Sequence, residues 1–123
     1  MKTEIDEIVV KGITYVPKDR QQQLAPEVDG MRYVIVRTYS AGVHAGYLKR
    51  REGKEVELLT ARRIWRWAGA ASLSQLAVDG TSDPDNCKFP CEVSSIELTE
   101  AIEVIPCTEK ARLSIAGVAV WKE

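Results

Sequence analysis

The chain has 123 residues, is 45% hydrophobic and 28% charged, and carries a formal net charge of −1. That length suits one domain with its own core, and the composition excludes a disordered or collagen-like chain. No apolar run approaches the roughly 18 residues that cross a membrane, and the balance of charge is too neutral for a long nucleic-acid binder.

The start, Met1-Lys2-Thr3-Glu4-Ile5-Asp6, is of mixed charge and has no signal-peptide apolar stretch. Ile8-Val9-Val10, Lys11-Gly12 and Ile13-Thr14-Tyr15-Val16 predict a tight hairpin closed by Pro17. Residues 18–30 are polar and predict a loop ending at Asp29-Gly30. Arg32 to Tyr39 is β-branched and aromatic and predicts a central strand. Ser40-Ala41-Gly42 forms a turn, and Val43 to Arg51 a second strand. After Glu52-Gly53-Lys54, Glu55 to Trp67 predicts a third strand bent near Thr60.

Ser72-Leu73-Ser74-Gln75 has the form of a capping box, opening a helix through about Asp79 that stops at Gly80. Thr81 to Pro90 predicts a loop, and Glu92 to Ile105 one extended segment closed by Pro106. Thr108 to Ala116 predicts a second helix, capped near Thr108 or Cys107 and stopped by Gly117. Val118 to Trp121 follows as a short strand or interface segment. The expected fold class is α+β: an antiparallel β-meander with one or two short helices in a single domain, 1–123.

Charge is uneven along this order. Residues 37–67 hold eight Lys/Arg against three Glu, whereas 68–123 hold four basic residues against nine acidic. A local basic patch on a neutral chain suits a small anion or an acidic partner surface; the alternative is a solvated basic face. The Ser40-Ala41-Gly42 elbow could aim backbone N–H groups at an anion, although most such elbows are plain turns. Strand alternation puts Arg63, Trp65 and Trp67 on one face and Arg62, Ile64 and Arg66 on the other. Tryptophan offers a plane for a base, and arginine a fork for phosphate. Equally, the tryptophans could be core residues with arginines snorkelling around them. Asn86-Cys87-Lys88-Phe89-Pro90 adds an amide, a cation and a ring that could read a base edge.

Enzymatic readings have little support. His44 is the sole histidine, and Cys87 and Cys91 have C-x3-C spacing with Cys107 far away, so zinc lacks a recognisable ligand set. Three cysteines without an export signal suggest reduced thiols in a cytoplasm.

Six blocks carry a resemblance. Val34-Ile-Val-Arg-Thr-Tyr-Ser-Ala-Gly-Val-His-Ala-Gly-Tyr47, Arg51-Glu-Gly-Lys-Glu-Val56, Ala61-Arg-Arg-Ile-Trp-Arg-Trp67, Gly69-Ala-Ala-Ser-Leu-Ser-Gln-Leu-Ala77, Asn86-Cys-Lys-Phe-Pro90 and Leu98-Thr-Glu-Ala-Ile102 stand in order. The chain resembles the phage Thoeris anti-defence family, type 1, over roughly residues 31–121, with residues 1–30 variable. The resemblance implies a non-enzymatic sponge, without cofactor or metal, in the cytoplasm of an infected bacterial host. It implies capture of cyclic ADP-ribose isomers without cleavage, and in some members of cyclic oligonucleotide signals of CBASS systems, such as cyclic di- or trinucleotides, at separate sites. It also implies a homo-oligomer built from dimers, commonly a hexamer, with ligands at subunit interfaces. By residue type within the matching blocks, the expected ligand residues are Arg37, Ser40, Ala41, Gly42, Arg62, Arg63, Trp65, Trp67, Asn86 and Phe89. Two alternatives stand beside the sponge: an enzyme that degrades a cyclic nucleotide, and a protein–protein inhibitor that presents its basic hairpin.

Overall fold

The computed structural model describes residues 23–123, so the hairpin expected over Ile8–Val16 lies outside the described residues. Five strands and two helices follow in order: β1 Tyr33–Thr38, β2 Val43–Glu52, β3 Glu55–Ile64, α1 Leu73–Asp79, β4 Glu92–Leu98, β5 Ala101–Pro106 and α2 Glu109–Gly117, with a 3-10 turn at Pro84–Asn86. Every strand pairing is antiparallel, and the spatial order is β4-β3-β2-β1-β5. The α+β expectation holds for this architecture. The three-strand meander from β1 to β3 also matches the β-branched, aromatic run at β1 and the two glycine turns that announced it.

The segment 92–106 departs from expectation. It is two strands rather than one, and they occupy opposite edges of the sheet. Leu98 pairs with Val56 on β3, while Ala101 pairs with Thr38 on β1. Across a flat sheet these edges would stand about 19 Å apart. The chain from Leu98 to Ala101 reaches at most about 11 Å. The sheet therefore curls until its two edges nearly meet at the Thr99-Glu100 joint. Two irregularities in the β2–β3 ladder, between Ala45 and Tyr47 and between Leu48 and Arg50, supply the bend. Opposite the first lies Thr60 with φ of 51°, the bend foreseen in the sequence. The tip of this hairpin folds round until the Ala101 amide donates to the Lys54 carbonyl at 2.9 Å.

Curling gives each face its own core. Val34, Val36, Val56, Leu58, Ala61, Leu98 and Ala101, all strand residues, form one cluster. The opposite face carries Tyr33, Ile35, Ala45 and Ile64, which pack under Leu73, Leu76 and Ala77 of α1, Ala111 and Ile115 of α2, and Phe89. Full burial of side chains such as Leu76, Phe89 and Ile115 contributes about 1.5–3 kcal/mol each.

The helices begin where their caps dictate. Ser72 Oγ accepts from the Gln75 amide at 3.1 Å, and Gln75 Oε1 accepts from the Ala71 amide at 2.7 Å, a capping box displaced by one residue. Gly80 closes α1 at φ 74°. Thr108 caps α2 through the Ala111 amide and donates to Val78 O at 2.6 Å, which ties the end of α1 to the start of α2. Helix α2 includes Gly117 and gives way at Val118, one residue later than expected. Past it, Val120 bridges to Phe89. Among the described residues no helix is long and apolar enough to cross a membrane.

Candidate functional site

The Ser40-Ala41-Gly42 elbow is built by Thr38. The Thr38 hydroxyl donates to Gly42 O at 2.7 Å and accepts from the Ala41 amide at 2.8 Å. Gly42 turns the chain at φ 84°, a conformation that costs side chains other than glycine. The Tyr39 amide donates to Glu100 O, and Ser40 Oγ donates to Glu100 Oε1 at 2.7 Å. Two of the four amides from Tyr39 to Gly42 are therefore bonded among the described residues. The elbow's dominant feature is its carbonyl: Ala41 O accepts from Arg63 at 2.7 Å and from His44 Nε2 at 2.9 Å. The elbow, a plain turn or an amide nest by residue type, presents Ala41 O as an acceptor post that fixes a cation and an imidazole.

Because a carbonyl can only accept, His44 Nε2 carries the proton and Nδ1 presents its lone pair. His44 is 1% exposed, and burial pushes its pKa below the usual histidine value. The Ala41 hydrogen bond opposes that shift, while the Arg63 charge adds to it. The ring is thus neutral near pH 7. His44, Ala61, Arg63, Pro90, Cys91, Val93 and Ile96 line a cleft of ≈160 Å³.

Adjacent arginines go opposite ways. Arg63 is exposed, whereas Arg62 is 3% exposed and points into the helix-covered core. Its Nε donates to Pro90 O at 2.9 Å, NH1 to Ile115 O at 2.8 Å and NH2 to Phe89 O at 3.1 Å, with the guanidinium carbon 5.5 Å from the Phe89 ring centre. Burial lowers its pKa, partly opposed by the Glu92 charge. Arg62 and Phe89, expected to meet a ligand, are interior residues of this chain. The alternation pattern held a clue, since it placed Arg62 on the same face as Ile64.

The remaining expected residues are spread out. Trp67 is half-buried against the helix-side core, and its Nε1 donates to Ala70 O at 3.1 Å. Asn86 is exposed and donates to Asp83 Oδ2 at 2.9 Å. Arg37 is held by Glu103 at 2.9 Å on neighbouring β5. Trp65 is 57% exposed and stacks on Trp121 with ring centres 5.0 Å apart. The Lys88 ammonium lies 5.5 Å from the Trp65 ring centre and 5.3 Å from that of Trp121. Sequence reasoning did not pair Trp121 with Trp65. The parallel bridge Phe89–Val120 and the Trp121 amide bond to Phe89 O bring the chain end back to it.

A larger, more open depression of ≈440 Å³ beside α1 is lined by Gly69, Gln75, Asp79, Gly80, Thr81, Ser82 and Lys110, and holds none of the expected ligand residues. All three cysteines are free thiols, with Cys87 and Cys107 buried and Cys91 exposed. Among the described residues no group of three His, Cys, Asp or Glu side chains could hold a metal ion.

Residues 31–115 match a protein-family model described as a domain of unknown function, DUF6948. The chain belongs to that family. The matched span takes in all five strands, α1 and every expected ligand residue, while Trp121 lies beyond it. Neither the curated proteins nor the solved structures give a match.

Proposed function

We propose that this chain is a phage anti-immune sponge, which binds cyclic ADP-ribose signals without cleaving them and so blocks Thoeris defence in the cytoplasm of an infected bacterium. The observation that carries this reading is the exposed aromatic and cationic surface formed by Trp65, Trp121 and Lys88. Solvent-facing indole stacked under an ammonium suits a base with a nearby phosphate, and each stacked base contributes about 1–3 kcal/mol. Arg63 stands two residues from Trp65, within about 7 Å along the chain. Its guanidinium, pinned at one end by Ala41 O, is preorganised for a phosphate oxygen. The resemblance in six ordered blocks supplies the identity of the ligand class.

The volumes support an oligomer. Small-molecule sites usually enclose about 300–1,000 Å³. The cleft at Arg63 offers ≈160 Å³. Holding two riboses, a pyrophosphate and an adenine at nanomolar affinity, about −12 kcal/mol, calls for a second wall. A partner subunit in a dimer-based hexamer would provide it. A cyclic di- or trinucleotide would occupy a separate surface.

The test is calorimetry of the full chain with each cyclic ADP-ribose isomer, followed by denaturation and mass analysis of the released ligand. Tight binding and intact ligand are expected, with native mass spectrometry giving the stoichiometry. A cleaved product would replace the sponge with an enzyme. No nucleotide binding at all would favour a protein–protein inhibitor that uses the basic hairpin.

A further inference from the structure

The cleft at His44, Arg63 and Cys91 has a composition that the elbow alone did not foretell. Its lining includes the buried imidazole of His44, whose Nε2 donates to the Ala41 carbonyl and whose Nδ1 lone pair has no hydrogen-bond partner among the described residues. Its rim includes a guanidinium held at one NH group by the same carbonyl, with its other donors unbonded among the described residues. Ala61, Val93 and Ile96 provide apolar walls. The requirements of this lining are specific. A buried lone pair calls for a ligand O–H or N–H, and a fixed guanidinium calls for an anionic oxygen. Inorganic phosphate has the anionic oxygen and an O–H but no carbon frame for the apolar walls, and a neutral sugar has hydroxyls but no anion. The volume, ≈160 Å³, is too little for a whole nucleotide, so only one corner of such a ligand enters it.

We propose that this cleft is a subsite for a ribose phosphate, in which Arg63 takes a phosphate oxygen and His44 Nδ1 accepts from a sugar hydroxyl against the wall of Ala61, Val93 and Ile96. The assignment rests on the nucleotide-signal reading above and gives one corner of such a ligand a defined seat. Cys91, on the same lining, becomes its reporter: it is the one exposed thiol, so alkylation distinguishes it from buried Cys87 and Cys107.

The single histidine makes the test direct. Full-length protein labelled with 15N-histidine gives one imidazole, whose Nδ1 resonance is followed while ribose 5-phosphate is added to millimolar concentration. The rate of Cys91 alkylation by iodoacetamide is measured by mass spectrometry in the same samples. Ribose 5-phosphate is expected to move the Nδ1 resonance upfield and to slow Cys91 alkylation several-fold. Arg63→Ala is expected to lose both responses while keeping its thermal midpoint. Equal responses to inorganic phosphate alone, or to ribose alone, would overturn the assignment, as would an unchanged His44 resonance or full protection in Arg63→Ala. The outcome is separable from that of the sponge. A cyclic ADP-ribose that binds in calorimetry while His44 and Cys91 stay silent sinks only the subsite. A cleft that takes ribose 5-phosphate in a protein that ignores cyclic ADP-ribose sinks only the sponge.

Discussion

Replacing Arg62 by Ala separates a residue that holds the fold from one that holds a ligand. Its guanidinium donates to Pro90 O, Ile115 O and Phe89 O at 2.9, 2.8 and 3.1 Å, and so joins β3 to the 89–90 turn and to α2. Hydrogen bonds from a charged donor contribute about 1.5–3 kcal/mol each, but desolvation of the cation offsets much of that sum. The larger effect comes on removal. Three interior carbonyls lose their donor and a cavity opens beside the Phe89 ring, so the expected loss is about 3–5 kcal/mol. A domain of this size is stable by only about 5–15 kcal/mol. Urea unfolding followed by tryptophan fluorescence reads the change. Arg62→Lys should recover part of the loss, since one ammonium cannot reach three carbonyls in that geometry. If Arg62→Ala does not fold, the Lys variant keeps the measurement accessible. A loss under about 1 kcal/mol for Arg62→Ala, together with weakened nucleotide binding, would refute the reasoning and return Arg62 to the ligand surface.

Other outcomes follow from particular backbone and titration features. Thr60 sits at φ 51°, unfavourable for a β-branched residue, so Thr60→Gly should raise stability by about 0.5–1 kcal/mol in urea unfolding. Gly69 sits at φ 79°, and a Cβ there would come within 2.7 Å of the Ser82 amide nitrogen and Thr81 Oγ1. Gly69→Ala should therefore cost about 2–4 kcal/mol, with a matching fall in thermal midpoint. Burial holds the His44 pKa below its unfolded value of 6.5, so its contribution to stability is complete above that pH. Stability should decline as pH falls from there toward the lower folded pKa, with a slope of at most about 1.4 kcal/mol per pH unit. His44→Gln should flatten that decline below about pH 6.5 in a denaturation series, and an unchanged slope would place the titration elsewhere.

The elements legible in the sequence are those specified by nearby residues. The β1–β3 meander follows from β-branched and aromatic runs separated by turns at Gly42 and Gly53, and both helices follow from Ser72 and Thr108 at their caps. What was not legible depends on contacts distant along the chain. Nothing within 92–106 shows that its two halves belong to opposite edges; that depends on the curl set by the bulge at Gly46 and Thr60. The site divides in the same way. Alternation correctly separated Arg62 from Arg63, but both faces of β3 carry an arginine, so the pattern alone did not say which face the helices cover. The stacking of Trp121 on Trp65 joins residues 56 positions apart through the Phe89–Val120 bridge, a pairing with no local signal. At the elbow, residue type identifies a tight turn but not whether its amides or its carbonyl face the neighbouring side chains.

The Thr99-Glu100 joint also has a kinetic consequence. Strand β5 must find β1 across some 70 residues, as in the Ile35–Ile105 pair, a separation that ordinarily makes closure slow. Once β4 has zipped onto β3, a joint of two residues delivers β5 to its partner almost without further search. The loop-closure entropy of that step falls by on the order of 2–3 kcal/mol. Folding of this chain thus has a natural order, hairpin first, β4 second, β5 last. Lengthening the joint with flexible residues should slow refolding more than it lowers equilibrium stability.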